Sequence, residues 1–345
     1  MDGEGTDQAN RLEQHLRRRG LQGEAAFYAV AGAYAAGRRL DLPTVRERSE
    51  QPLARAQRDA TVGAALDQQV AADPHGDALP VIYQHLVGSR FRQRSGKFFT
   101  PAPVAASMAR LLPRTPGAMV LDPTCGGGTF LAEAASWWGD VTCTLAGNDV
   151  EPTLADLTRL RLALAAEGRD TEVTEENLYE ADALAPRSGT VDAILANPPF
   201  SLPVAAAGVP GPLAEAGYAT SDAVFLDVVH RLLRPGGRLV ALLPHSLLTN
   251  KEHAPMRAIT APRWALRAAI TLPEGIFHLT AGTATRAGIV VLDRRPCPDP
   301  DQVAYAHCAT VGQALNARGL GAEGDDLADL VADPTVRRSL DLEGA

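Results

Sequence analysis

From residue 118 to residue 294 the chain alternates short apolar runs with longer amphipathic stretches. "AMVLDP" (118–123), "CTLAGND" (143–149) and "VDAILANPP" (191–199) have the length and β-branched or leucine-rich character of buried strands. "TFLAEAASWWG", "EPTLADLTRLRLALAAEG" and "SDAVFLDVVHRLLRPGG" lie between or after them with helical spacing, and the last carries a terminal glycine stop. "RLVALLP", "LRAAITLP" and "RAGIVVLDR" add further strands. Strands interleaved with helices predict an α/β fold with a doubly wound, mostly parallel sheet. Such sheets bind ligands beyond the carboxyl ends of their strands. The motifs of interest all fall there.

The preceding residues have a different character. "GEAAFYAVAGAYAAGRRL", "PLARAQRDATVGAALDQQVAA" and "ALPVIYQHLVGSRF" are rich in Ala and Leu, with apolar spacings of three and four. They predict a helical N-terminal domain over residues 1–93. The α/β domain is then expected over 94–312, and residues 313–345 read as a polar, acidic C-terminal tail, a surface helix or a frayed end. No run of about 18 apolar residues is present, so no membrane span is expected. The polar start "MDGEGTDQANRLEQ" lacks the basic and apolar parts of a signal peptide, which makes the cytoplasm the default compartment. The four cysteines form no CxxC pair and no His cluster has metal-ligand spacing, so reduced thiols and no metal site are expected. The net charge is −8, but residues 1–97 carry 14 Lys and Arg against 12 Asp and Glu. A protein that grips nucleic acid alone usually advertises a basic face, and the overall composition does not.

Between the first strand and the first helix lies "LDPTCGGGTFL" (121–131). Three consecutive glycines permit a sharp turn and close backbone approach to a ligand. A dinucleotide fingerprint would need GxGxxG and a phosphate loop would end in GK[ST]; neither pattern is met. S-adenosylmethionine, a nucleoside with an amino-acid tail and no phosphate, is the third candidate, and a plain structural turn is a fourth. Asp149, after the second strand, can accept from both ribose hydroxyls or cap the helix that follows. Asp182, in "EADAL", follows the expected third strand and can accept from an adenine amino group or be a surface turn acid.

The third clear strand runs into Ala196-Asn197-Pro198-Pro199-Phe200. Prolines stop the strand and fix its backbone. An exocyclic amine on an aromatic base is a poor nucleophile because its lone pair is delocalised into the ring. Two carbonyl acceptors aimed at its N–H bonds favour a pyramidal nitrogen. Asn197 offers a side-chain carbonyl and Pro198 a rigid backbone one. Phe200 offers a flat face for stacking. Methyl transfer from a sulfonium needs little beyond such positioning.

The same residues carry a family resemblance. The chain resembles N6-adenine DNA methyltransferases and, more narrowly, the modification subunit of type I restriction–modification systems, from about residue 78 to about residue 308. "ALPVIYQHLV" leading into "SGKFFTPAPVAASMARLL", "DPTCGGGTFL", "GNDVEP", "DAL", "VDAILANPPF", "FLDVVHRLLRPGGRLVALLP" and "ITLPEGIFHLTAGTATRAGIVVL" follow the family's segments in order. The resemblance implies a Rossmann-like methyltransferase sheet and S-adenosylmethionine as cofactor. It implies that Thr100, Pro101, Asp122 and the loop Cys125–Gly128, with Gly126 and Gly128, contact the methionine part. Asp149 would hold the ribose and Asp182 the adenine amino group. Asn197, Pro198 and Phe200 would form the methyl-acceptor site, with Phe277 as a second aromatic face for a flipped adenine. Gly127 stands where the family usually has Ser, Thr129 where Gly is usual, and Asp149 where Glu is commoner. Family members that act alone carry a large recognition domain, so a separate specificity subunit is expected to read the DNA. The alternative is a methyltransferase acting on another planar amine or amide: an RNA adenine, a protein glutamine or a small molecule.

Overall fold

The computed structural model describes residues 3–91, 99–205, 208–274, 276, 286–300, 302–316 and 319–342, with the side chains of 3–8, 88–91 and 313–322 left aside. Five helices come first: α1 (Gly3–Arg18), α2 (Glu24–Gly37), α3 (Pro43–Gln57), α4 (Ala60–Ala72) and α5 (Leu79–Phe91). Pro43 opens α3 at the first helical position, where its missing N–H costs nothing. Asp59 caps α4 by accepting from the Thr61 and Val62 amides. The central helix, α2, is apolar on every side and buried from Ala26 to Ala35, so it can only sit inside the layer. Phe27 meets Tyr83 edge to face, with ring centroids 5.1 Å apart.

After α6 (Ala102–Ala109) the strands and helices alternate as expected: β1 (Ala118–Asp122), α7 (Thr129–Trp138), β2 (Cys143–Asn148), α8 (Pro152–Ala165), β3 (Asp170–Thr174), β4 (Val191–Ala196), α9 (Pro212–Glu215), α10 (Ser221–Leu232), β5 (Leu233–Pro244), α11 (His245–Thr249), α12 (Ala254–Thr260), β6 (Trp264–Thr271), β7 (Ala287–Arg294) and β8 (Ala304–His307). They form one eight-stranded sheet in the order β3-β2-β1-β4-β5-β7-β6-β8. Strands β1 to β5 are mutually parallel, while β7 runs antiparallel to both β5 and β6. The order reverses between β1 and β4, which pair through Val120 with Ala193 and Leu121 with Ile194. That reversal opens a crevice at the carboxyl ends of the two strands.

Apolar residues of α6 and α7 cover one face of the sheet, and those of α10 cover the other. The helical layer is not a detached lobe. Its core runs on into Leu154, Leu157 and Leu160 of α8. A polar seam locks the contact. Buried Asp156 of α8 accepts from Tyr28 Oη (3.0 Å), Thr44 Oγ1 (2.9 Å), Arg48 Nη1 (2.7 Å) and Arg159 Nη1 (2.8 Å).

The C-terminal segment departs from the frayed or surface-only reading. After a small hairpin of β9 (Gln313–Asn316) and β10 (Gly319–Ala322), two short helices, Asp326–Ala332 and Pro334–Ser339, close one sheet face. Leu327, Val331, Leu340 and Leu342 are buried in the same core as α6 and α7. Leu327 and Val331 are one helical turn apart within an acidic sequence, so one apolar stripe suffices to dock it. Arg238 fixes the end of the chain: it forks onto Asp293 and donates to the Leu340 carbonyl at 2.8 Å. No helix among the described residues is long and apolar enough to cross a membrane.

Candidate functional site: a cleft at the sheet reversal

A cleft of about 240 Å³ opens at the carboxyl ends of β1, β2 and β4. Its walls come from the glycine loop after β1, the segment 148–150 after β2, the segment 176–179 after β3, and Asn197 and Pro199 after β4. Phe99 and Thr100, on the lead-in to α6, add a further wall, as do Leu202 to Val204 and Ser221.

The glycine loop is built by its neighbours as much as by its own residues. Gly128 caps α7 in the left-handed region, at φ 73°, and a Cβ there would press on Thr158. Gly127 is needed for space: a Cβ would lie 2.3 Å from Cε1 of Phe99. Helix α8 holds the loop's carbonyls. Thr158 Oγ1 donates to the Gly126 carbonyl (2.9 Å), and buried Arg161 donates to that of Gly127 (2.8 Å). The Gly126 amide donates to Asp149 Oδ2 at 3.1 Å. Asn148, itself buried, ties two walls together. Its Nδ2 donates to the carbonyls of Pro123 and Glu176, and its Oδ1 accepts from the Glu176 amide and from Thr174 Oγ1.

The acids of the cleft are strongly placed. Asp122 is fully buried at the end of β1, where burial first and the charge of Asp149 second push its carboxyl well above the usual range. No Lys, Arg or His lies among the lining residues described, and three of them are acids: Asp122, Asp149 and Glu176. Val150, half exposed, and Leu178 add apolar surface beside them.

On the β4 side, Asn197 Nδ2 donates to Thr100 Oγ1 at 3.2 Å, so the amide has a fixed orientation and the "FFTP" segment touches the "ANPPF" segment directly. Pro199 is clamped by Ser221, whose hydroxyl donates to its carbonyl at 2.5 Å.

Of the residues singled out from sequence, Thr100, Asp122, Cys125, Gly126, Asp149 and Asn197 line this cleft together. Pro101 caps α6 and Gly128 caps α7 directly beside it. Pro198 is buried next to Asn197, and Phe200 packs into the core on the α6–α7 face of the sheet rather than forming the cleft wall. Asp182 is not brought in. It is solvent-exposed, and Arg231 on the last turn of α10 donates to the carbonyls on either side of it, those of Ala181 and Ala183. The chain passes the cleft earlier, at Glu176 to Tyr179. Phe277 lies outside the described residues. Asn148, Thr158, Arg161 and Ser221 escaped the sequence reading. Thr158 and Arg161 left one signal, polar residues three apart in an otherwise apolar helix face. Among the described residues no group of three or more His, Cys, Asp or Glu could hold a metal ion.

A doubly wound sheet with a glycine loop, an acid after β2 and an Asn-Pro-Pro-Phe segment after β4 is the framework of a Rossmann-like methyltransferase. The chain belongs to the N-6 DNA methylase family, whose model matches residues 74–310. It is similar to the type II methyltransferase M.VspI of Vibrio sp. (strain 343), with 25% identity over 232 residues, 65% of this chain and 54% of that protein. It is also similar to a tRNA (guanine(6)-N2)-methyltransferase of Thermus thermophilus, with 34% identity over 175 residues, 50% of this chain and 45% of that one. Among solved structures, the type I restriction–modification system methyltransferase subunit from Streptococcus thermophilus shares the fold. The TM-score is 0.64 and the identity 19%, covering 85% of this chain and 63% of that one. The chain spans between 23% and 54% of the length of the curated relatives it matches.

Proposed function

We propose that the protein transfers a methyl group from S-adenosylmethionine to the N6 amino group of adenine in DNA. The observation that carries the reading is the convergence of Asn197 and the glycine loop on one cleft, within a chain of the N-6 DNA methylase family.

The residues of the cleft fit that cofactor and not a phosphate-bearing one. A pyrophosphate would meet three acids here, and no Lys, Arg or His stands among the described lining residues to offset them. An ammonium suits Asp122, whose carboxyl is buried in a cleft with no Lys, Arg or His among its described lining residues. Asp149 is placed for the ribose hydroxyls, and Val150 and Leu178 for the adenine ring. The adenine-amino role falls to the 176–179 segment in place of Asp182. When bound, S-adenosylmethionine supplies an electrophilic methyl group on a sulfonium. The protein's part is positioning. Asn197 Oδ1 and the Pro198 carbonyl accept from the target amine and free its lone pair. The Thr100 hydrogen bond keeps the Asn197 amide from rotating, and Phe200, packed in the core, anchors the end of the segment. No side chain need act as a strong base, because the proton is lost from an amine already made cationic by alkylation.

A base inside a duplex is out of reach, so the DNA substrate enters with its adenine flipped out, in the cytoplasm. The net charge of −8 supports a separate specificity subunit as the reader of DNA sequence, as in the type I systems that the fold resembles. A second reading has a specific observation behind it. The similarity to a tRNA (guanine(6)-N2)-methyltransferase favours an exocyclic amine of RNA as that second acceptor.

The deciding experiment incubates the protein with labelled S-adenosylmethionine and either DNA or tRNA, with and without its co-expressed neighbours, and identifies the modified nucleoside by mass spectrometry. N6-methyladenine in DNA is the expected product. N2-methylguanine in tRNA would establish the second reading, and no transfer to either would sink both.

A further inference from the structure

The loop that follows Asn197 is held in a shape that its own sequence disfavours. Ser201 sits at φ 52°, in the left-handed region that non-glycine residues rarely occupy. No glycine relieves it. Instead the first two residues of α10 grip the loop from both sides. Ser221 is fully buried, and its hydroxyl donates to the Pro199 carbonyl while accepting from the Leu202 amide at 3.1 Å. Its own amide donates to the Leu202 carbonyl at 2.8 Å. Asp222, also buried, accepts from both the amide (3.2 Å) and the hydroxyl (3.3 Å) of Ser201 through Oδ2, and from the Ala223 amide through Oδ1. The opposite wall joins the same hub: Tyr179 Oη donates to the Ser221 carbonyl at 3.2 Å. Burial raises the Tyr179 phenol above its usual value, in keeping with its role as donor.

From this arrangement we infer that Ser221 and Asp222 are positioning residues for methyl transfer. They store the strain of the 197–202 loop and so fix where the Asn197 and Pro198 carbonyls point. The inference rests on the reading of Asn197 and Pro198 as the amine acceptors. A helix needs neither a Ser nor a buried Asp at these two places, and α10 would start as well on a solvent-facing cap. Both side chains are spent on the loop, apart from the single bond to Ala223. Satisfying Pro199 with Ser221 also leaves the preceding carbonyl, that of Pro198, as the one assigned to the substrate.

Three measurements on the full chain test the inference: amide hydrogen exchange across 197–202, cofactor Kd by calorimetry, and the single-turnover rate of methyl transfer. Asp222→Ala and Ser221→Ala are expected to raise exchange at Ser201 and Leu202 at least tenfold. They should lower the transfer rate tenfold or more and leave the Kd for S-adenosylmethionine within about twofold. Asp222→Asn, which keeps shape and one acceptor, should fall between. Adding Ser201→Gly to Asp222→Ala removes the strain that the carboxylate restrains and should recover part of the rate, a rescue that general destabilisation would not permit. Unchanged exchange in both alanine variants overturns the clamp. Faster exchange with a normal transfer rate, or a Kd that rises in step with the rate loss, overturns the positioning role. If the wild-type chain methylates no adenine, the functional reading fails on its own, and the exchange data still decide the clamp.

Discussion

Asp122 ends β1 with its carboxyl buried beside a second acid, and both features favour the protonated form. The sign for stability follows. A carboxyl whose folded pKa is raised stabilises the fold fully below its unfolded value, near 3.8, and loses that contribution as pH rises through the folded value. The ligand-free protein should therefore weaken as pH climbs out of the acid range. Asp122→Asn should flatten this slope and raise the melting temperature at pH 7, while weakening S-adenosylmethionine binding by tenfold or more. Thermal melts across pH, with calorimetric titration, read both. At Asn197 the expectation is different. In the proposed mechanism Asn197→Ala removes one acceptor from the target amine and should cost about a hundredfold in transfer rate. The cofactor Kd should hardly move. A rate within threefold of wild type would remove Asn197 from the chemistry.

The glycine loop cannot be understood as a motif alone. The ring of Phe99 occupies the space that a side chain at Gly127 would need. Loop and lead-in segment therefore constrain each other across 28 positions of sequence. Gly127→Ser should therefore overpack the site and destabilise the protein by about 1–3 kcal/mol. Phe99→Leu in the same chain should return part of that loss, and denaturant titration of the two single variants and the pair measures the coupling. Likewise, α8 was legible as an amphipathic helix, but its task of holding the Gly126 and Gly127 carbonyls through Thr158 and Arg161 was not. Those bonds link residues more than 30 apart, and no local pattern specifies such a pair.

Across the molecule, the helical layer and the sheet act as one packed body. Asp156 accepts four hydrogen bonds, two of them from arginines, and sits on the helix that holds the glycine loop. Removing it leaves buried donors unpaired. Asp156→Ala should cost about 3 kcal/mol in urea unfolding and should weaken cofactor binding as α8 loosens. A variant that unfolds helices α1–α5 separately, with the sheet and the cleft intact, would contradict the shared core.

The sequence by itself determined the elements and their type. Alternating apolar runs, helix stops and the order of the glycine loop, Asp149 and Asn197 need only local periodicity and chain order. Those features suffice for the doubly wound sheet and for the end of it at which a ligand sits. The tertiary structure alone decided which residues meet. It left Asp182 in solvent, with Arg231 bonded to its neighbours' carbonyls, and tied the segment that starts at Glu176 to the cleft through Asn148. It buried the acidic C-terminal segment through four apolar residues, and set Ser221 and Asp222 against a strained loop. Each of these rests on hydrogen bonds and packing between residues distant in the chain. Their geometry exists only once the sheet has assembled.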